Sequence, residues 1–226
     1  MDSNSNSPEV RRQIIEHKTL RILIGAAGVL LPLLLFTGNW ISECTTHLEF
    51  SISDYYDNGA AGDILVGILF VLGFFLFSYH GYDAKDDLTA NLGGAFALGV
   101  ALFPTTSANP VIHSLHFVFA TLLFVAFAVF SIWLFRKSNV PKEQWTKKKS
   151  KRNMIYFLCG IIIIACIVAI PVCIFFFHQA TIDCHLVFWI ESIALLSFGF
   201  SWLTKAEWFM LKIGRASCRE RVCQYV

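Results

Sequence analysis

The stretch KKKSKRNMIYFLCGIIIIACIVAIPVCIFFF, residues 147–177, decides the fold class of this chain. Its second part, 153–177, contains no charged residue and is apolar on all sides of a helix rather than along one stripe. A helix needs about 20 such residues to cross the ~30 Å hydrocarbon core of a bilayer. The basic residues in 147–152 come directly before it, and short basic segments of this kind stay on the cytoplasmic side. The stretch therefore predicts a transmembrane helix that starts in the cytoplasm.

Five further apolar runs of similar length lie on either side of this stretch. They cover residues 20–40, 63–80, 88–104, 111–135 and 186–204. The chain has 18 Lys and Arg residues, and three of the intervals between runs contain none of them. These intervals are 38–62, 105–112 and 178–185. Because the basic residues all fall in the alternate intervals and near the two ends of the chain, the pattern indicates an even number of spans.

We therefore predict an all-α fold, a bundle of six transmembrane helices with the N- and C-termini in the cytoplasm. Residues 1–19 would form a cytoplasmic N-terminal segment, residues 20–207 the six-span membrane domain, and residues 208–226 a C-terminal tail. From about Ile213 the tail reads IGRASCRERV, which resembles the in-frame translation of a sequencing adapter. We interpret that part as a sequence artefact, and a short basic tail is the alternative.

The composition agrees with a membrane protein. Hydrophobic residues make up 56% of the chain and charged residues 15%, whereas a soluble domain typically carries about 25% charged residues. The basic run 147–152 lies on a short loop without interleaved aromatic residues, which is typical of membrane orientation rather than of nucleic-acid binding. These features predict membrane lipids as partners and no nucleic acid, and nothing in the sequence specifies an oligomeric partner.

Ionisable side chains collect on the predicted outer side. His113 and His116 lie three residues apart at the outer end of the fourth run, so they project from one helix face. Glu191 lies about one and a half turns inside the outer end of the sixth run, and an ionisable group at membrane depth suggests a functional site. Since an isolated carboxylate is costly in hydrocarbon, we expect Glu191 and the two histidines to converge in one polar pocket. Asp54 or Asp57, from the loop SDYYDNG, would cover this pocket.

Three interpretations of this group remain open. Two imidazoles and one carboxylate could bind Zn²⁺ and leave a coordination position for water, so His113, His116 and Glu191 are candidate metal ligands. The same groups could relay protons, or they could satisfy one another as buried polar packing. Zinc is the cofactor that the first interpretation implies.

Two cysteines, Cys44 and Cys184, fall in the predicted outer loops. An oxidising exterior permits a disulfide between them, which would join the first outer loop to the third. Their α-carbons would have to lie within about 7 Å of each other. The pair is therefore a candidate disulfide.

A second group of candidates lies on the predicted inner side. His80 and Asp83 follow the second run, and Lys205 ends the sixth. Lys205 paired with a nearby carboxylate would close the cytoplasmic end of the bundle. Such residues are common anchors at headgroup depth, and the alternative is a site that faces lipid headgroups.

Four segments of the chain resemble a known family. They are SISDYYDNGAAGDILVGILFVLGFFLFSYHGYD (51–83), NLGGAFALGVALFPT (91–105), HSLHFVFATLLF (113–124) and FWIESIALLSFGFSWLTKAE (188–207). The family consists of uncharacterised multi-pass bacterial membrane proteins that share a domain of unknown function. The resemblance implies an integral membrane domain, the bacterial inner membrane as its location, and no known activity.

A more distant likeness is to membrane hydrolases of the alkaline ceramidase kind, which also mix His, Asp and Ser among their helices. Those enzymes carry Ser-x-x-x-His and His-x-x-x-His patterns. This chain instead has Ser-x-His at 78–80 and His-x-x-His at 113–116. This chain therefore lacks the motifs that characterise those hydrolases.

Two functions of different classes follow, and the sequence leaves open whether the protein is an enzyme. The first is an integral membrane protein that binds a lipid or a small ligand, or transports a solute, through a polar site near the outer face. The alternative is a membrane-embedded, metal-dependent hydrolase.

Overall fold

The computed structural model describes residues 8–43, 47–81, 83–138, 141 and 145–207, and within them the chain is helical and contains no β-strand. The α-helices there are α1 (Pro8–Glu43), α2 (Gly59–Phe77), α3 (Ala84–Leu102), α4 (Pro110–Ile132), α5 (Lys147–Phe176), α6 (His178–Asp183) and α7 (Leu186–Lys205). A 3-10 helix, Ser53–Asp57, precedes α2, and another, Leu134–Arg136, follows α4. The predicted all-α fold is confirmed.

Five helical segments of the described chain are long and apolar enough to cross a membrane. They are His17–Ser42, Gly59–Phe77, Pro110–Arg136, Lys147–Phe176 and Leu186–Lys205. Helix α3 covers most of the third predicted run but is not among these segments. Its first turn carries Lys85, Asp86 and Asp87, which lower its apolarity. The chain is thus a helical, membrane-embedded protein with five helices that meet the requirements for a span.

The six long helices pack as a closed ring. Each of α2, α3 and α4 lies against the helix before it and the helix after it in the chain. Helix α5 packs between α4 and α7, and α7 packs against α1. The short α6 joins α5 to α7 at one end of the ring. Sequence neighbours are therefore spatial neighbours, which is the arrangement that short connections produce.

Polar residues placed just before the helices fix where three of them begin. Asp83 accepts hydrogen bonds from the N–H groups of the first turn of α3, and Thr146 does the same for α5. Asn109 caps α4, where it accepts from the N–H of Val111 (2.9 Å) and precedes Pro110. A side-chain oxygen at this position satisfies N–H groups that lack a partner within the helix.

The outside and the inside of the ring differ in the exposure of their apolar side chains. Large apolar side chains remain exposed on the outside, for example Leu33 (58%), Phe74 (57%) and Val168 (57%). Such an apolar surface suits contact with lipid and not with water. Inside the ring, Phe127 of α4 stacks on Phe198 of α7 with their ring centroids 3.6 Å apart, and both are fully buried.

Glycines allow α7 to lie directly against α1. A Cβ atom added to Gly199 would lie 2.5 Å from the Gly25 carbonyl oxygen, and one added to Gly25 would lie 2.9 Å from the Gly199 carbonyl oxygen. Helices α2 and α3 approach in the same way at Gly73 and Gly94. Small residues at such crossings let helix backbones come close in lipid.

Candidate functional site

Residues 50–58, here called the cap segment, fold over one end of the ring. The hydroxyl of Tyr56 donates to the Ala101 carbonyl (2.8 Å), at the end of α3. The hydroxyl of Thr105 donates to the Ser53 carbonyl (3.3 Å). These hydrogen bonds hold the 3-10 helix of the cap segment against α3 and the connection from α3 to α4.

The cap segment is also bound to α7. The N–H of Phe188 donates to the Phe50 carbonyl (2.9 Å). The ring of Tyr55 is fully buried and lies 6.0 Å, centroid to centroid, from the Phe188 ring. The cap segment therefore links helices that are far apart in sequence.

His116 fastens the cap segment to α4. It is fully buried, and its Nδ1 lies 2.6 Å from the Phe103 carbonyl oxygen. Its Nε2 lies 2.9 Å from the hydroxyl oxygen of Ser53. Because a carbonyl oxygen can only accept, Nδ1 carries a proton, and a neutral ring then accepts at Nε2 from Ser53. Both ring nitrogens are thus used in hydrogen bonds within the protein.

Glu191 of α7 forms a hydrogen bond with Ile52, the residue before Ser53 in the cap segment. Its Oε2 accepts a hydrogen bond from the N–H of Ile52 (2.7 Å). The residues of α7 that face outward near this depth are Trp189, Ile193, Leu196 and Phe200. At about 100° per residue, Glu191 lies on the opposite side of the helix from them. Its carboxylate therefore faces the inside of the ring, with a backbone N–H as a partner.

Asp54 joins the same end of the ring through a local exchange of hydrogen bonds. Its Oδ2 accepts from the N–H of Ser51 (3.0 Å), and its own N–H donates to the Ser51 hydroxyl oxygen (3.2 Å). Burial raises the pKa of Asp54 above its usual range, although the hydrogen bonds from Ser51 act in the opposite direction. Asp54 is thus a partly buried carboxyl beside the ends of His116 and Glu191.

The remaining outer candidates lie at the surface. His113 is exposed and packs edge-on against Phe117, with their ring centroids 4.9 Å apart. Asp57 is also exposed. The structure thus brings three of the five predicted residues, His116, Glu191 and Asp54, to the cap segment and leaves the other two at its edge.

The described residues contain no group of three His, Cys, Asp or Glu side chains arranged to hold a metal ion. His116 would have to give up one of its two hydrogen bonds before it could ligate zinc. A zinc site formed by His113, His116 and Glu191 therefore stays a prediction of the sequence.

An amide cluster beside the cap segment was missed by the sequence analysis. The side-chain amide of Asn58 donates to Asn39 Oδ1 (3.2 Å) and to Glu49 Oε1 (2.8 Å). Asn39, which is 1% exposed, in turn donates to the His47 carbonyl (3.3 Å). The one signal in the sequence is an asparagine near the end of an apolar run, where an unpaired amide would be costly.

A small cavity lies between this polar end and the inside of the ring. Its volume is about 50 Å³, and residues from α1, α2, α3, α4, α7 and the cap segment line it. Glu191 and Ser53 lie at its polar end. The rest of the lining is mainly apolar, with Leu69, Ala120 and Phe124 among its members. The cavity therefore combines an apolar body with one carboxylate.

The candidate disulfide cannot be traced, because Cys44 lies outside the described residues. Cys184 is exposed. His47 and His185, which follow the two cysteines in sequence, have ring centroids 5.3 Å apart. The two loops therefore meet, and the disulfide stays a prediction.

The inner candidates lie at the opposite end of the ring. Both carboxylate oxygens of Asp83 accept from Lys137 Nζ (2.9 Å each), and Lys137 also pairs with the buried Asp86. This pairing lowers the pKa of Asp83 and raises that of Lys137. Lys205 donates to the Phe135 carbonyl (3.1 Å). His80 is exposed.

Lys137 makes ion pairs that the sequence does not predict. From the sequence, Lys205 paired with a carboxylate was expected to close this end of the bundle. The ion pairs of Lys137 with Asp83 and Asp86 join α3 to the segment that follows α4. Lys205 joins the end of α7 to the same segment through the Phe135 carbonyl, and its pairing with a carboxylate stays a prediction.

Comparison with family models, with curated proteins and with solved structures finds no match to this chain.

Proposed function

We propose that this chain is a six-span protein of the bacterial inner membrane, with both termini in the cytoplasm, that binds a small amphiphilic ligand between its helices. One observation carries the proposal: an apolar cavity inside the ring ends at an inward-facing carboxylate, Glu191. Ligand sites are usually concave and mostly apolar, with a few placed polar groups that orient the ligand. The cavity has this composition.

The chemistry of the polar end suggests the class of ligand. Glu191 Oε2 accepts from Ile52, and within the described residues Oε1 has no hydrogen-bond partner. A hydroxyl or amino group of a ligand would supply one. The cavity volume of about 50 Å³ leaves room for only a few non-hydrogen atoms, so a short alkyl group fits its apolar part and a bulky ring system does not. A short-chain alcohol or amine is the simplest molecule with both properties.

Photolabelling of the purified full chain with a photoreactive short-chain alcohol tests the proposal. We expect labelled peptides from the cavity lining, and we expect Ala120→Leu to reduce this labelling because the added carbons fill the cavity. Ala165→Leu is the matched control, since Ala165 is exposed on α5. Equal labelling of the two variants would overturn the proposed site.

Glu191→Gln tests the polar end separately. Glutamine retains an oxygen that can accept from Ile52, so the cap segment should stay in place while the interaction with the ligand hydroxyl changes. We expect weaker labelling by the alcohol in this variant. Stoichiometric zinc in the purified protein, lost in His116→Ala, would instead support the metal-dependent hydrolase.

A further inference from the structure

A second pocket, of about 200 Å³, lies at the end of the ring opposite Glu191. Its lining includes five basic residues from four parts of the chain: Arg21, Lys137, Lys149, Arg152 and Lys205. Glu207 is the one carboxylate in the same lining. The pocket is therefore strongly cationic.

Within the described residues, the nearby carboxylates do not balance this charge. Arg152 pairs with Glu207, and Lys137 pairs with Asp83 and Asp86. Three carboxylates thus stand against the five cations, which leaves an excess of two positive charges.

Two of the remaining cations, Lys149 and Arg21, contact neutral groups. Lys149 Nζ bonds to the Ser138 hydroxyl, and the Arg21 guanidinium lies 5.8 Å from the centre of the Tyr79 ring. Lys205 donates to a carbonyl, and three like charges, those of Arg21, Lys149 and Arg152, act on it together with the opposite charge of Asp86. Like charges held this close repel one another unless an anion lies between them.

Two hydrogen-bond donors in the lining are also unsatisfied. Arg21 Nε and Asn153 Nδ2 are buried and have no hydrogen-bond partner in the described part of the chain. Most buried polar groups in proteins are paired, because an unpaired one destabilises the fold. The excess positive charge and the two unsatisfied donors therefore favour the same kind of ligand, an anion with several acceptor oxygens.

We propose that this pocket binds a phosphate group. Lysine, arginine and amide donors from α1, α5 and α7 surround it from different directions, which suits a tetrahedral anion with several oxygens. The pocket also lies where three candidate spans end or begin, at Arg136, Lys147 and Lys205. Lipid phosphates lie at that depth, so the headgroup of an anionic lipid is the first source to test, and a free phosphate is the second.

The test uses the purified full chain in nanodiscs of phosphatidylcholine, with and without phosphatidic acid, and separately with inorganic phosphate. Binding is measured as a dissociation constant from the shift in thermal stability. We expect Lys149→Gln and Arg21→Gln each to weaken binding by about tenfold or more, the amount that one charge-assisted hydrogen bond supplies. Lys149 is only partly buried, so its variant should fold even if the Arg21 variant does not.

Lys148→Gln is the matched control, because it removes the same charge from the same turn of α5 but lies exposed and outside the pocket. We expect it to bind phosphatidic acid as the unmodified protein does. If binding responds to phosphatidic acid and inorganic phosphate does not compete, the source is the lipid. If inorganic phosphate binds with the same dependence on Lys149, the source is a free phosphate compound. Equal weakening by Lys148→Gln and Lys149→Gln, or no binding of either probe, would overturn the site.

Discussion

His113 and His116 lie three residues apart on α4 and have opposite environments. His116 is fully buried with both ring nitrogens bonded, whereas His113 is exposed. We expect His116→Ala to lower the free energy of unfolding by about 2–4 kcal/mol, because it removes two hydrogen bonds and leaves a cavity. His113→Ala should change it by less than about 0.5 kcal/mol. Denaturant titration in detergent measures both, and comparable losses would mean that His116 does not hold the cap segment.

Asp54 makes a prediction about pH. Its pKa is raised by burial above the ordinary value of 3.8, so the folded protein binds this proton more tightly than the unfolded chain does. The contribution of this bound proton to the free energy of unfolding is fully present below about pH 3.8. It is lost as the pH rises through the pKa of Asp54 in the folded protein. Asp54→Asn removes the ionisation and keeps an oxygen that can accept from Ser51. The variant should therefore gain stability relative to the unmodified protein as the pH rises from about 4 to 7.

Thermal unfolding across this pH range checks the prediction. Asp57→Asn is the control, since that side chain is exposed and belongs to the same 3-10 helix. A difference between Asp54→Asn and the unmodified protein that is constant with pH would show that ionisation of Asp54 does not affect folding.

The sequence could predict which residues approach this end of the ring, but not their partners. The alternation of basic residues put His116, Glu191 and Asp54 at one end, and the structure brings these three together. Glu191, however, bonds to the backbone of Ile52, which is 139 residues away. The sequence does not show which backbone N–H will donate to a given side chain. The expected depth of Glu191 in the membrane was the only guide to its partners, and it suggested the histidines. His113 shares a face with His116 only approximately, since three residues turn a helix by about 300°, and it falls at the edge.

Among the helices, the contact between α1 and α7 depends on Gly199. A methyl group there would meet the Gly25 carbonyl oxygen and the Val29 backbone nitrogen, at 2.5 and 2.8 Å, and neither can turn away. We expect Gly199→Ala to destabilise the protein by about 1–3 kcal/mol, since the helices must separate. Gly67→Ala should instead be neutral or stabilise by up to about 1 kcal/mol, because no atom lies within 4 Å of the added group and alanine favours the helix. Thermal unfolding of the pair in one detergent compares them, and an equal response would contradict the close approach.

Helix α3 shows where prediction of the elements from sequence is incomplete. Its apolar run was predicted as a span, and a helix forms there, from Ala84 to Leu102. The first turn nevertheless carries Lys85, Asp86 and Asp87, and Asp86 is 2% exposed because Lys137 neutralises it. Such a pairing depends on a residue in another element. Apolar length alone therefore predicts the helix but not how deep its charged end lies.

For the whole molecule, the predicted orientation can be tested with two single cysteines placed in a chain that lacks the native ones. We expect a membrane-impermeant thiol reagent to label Asn58→Cys, in the cap segment, on intact cells. Thr146→Cys, next to the basic run, should be labelled only after the cells are opened, because basic loops stay in the cytoplasm. Labelling of Thr146→Cys in intact cells would reverse the orientation, and the phosphate pocket would then face the exterior.

The closed ring also sets an order of events during synthesis. Helix α1 emerges from the ribosome before α7, the helix that covers its Gly25 face. At a synthesis rate of about 5–20 residues per second, α7 is made on the order of 10 s after α1. Until then the growing bundle is an open arc. The face of α1 that α7 will later cover is exposed to lipid or to any insertion factor that binds there. A variant that weakens the α1–α7 contact would keep this gap open after α7 has been made, so membrane proteases would have longer to degrade it.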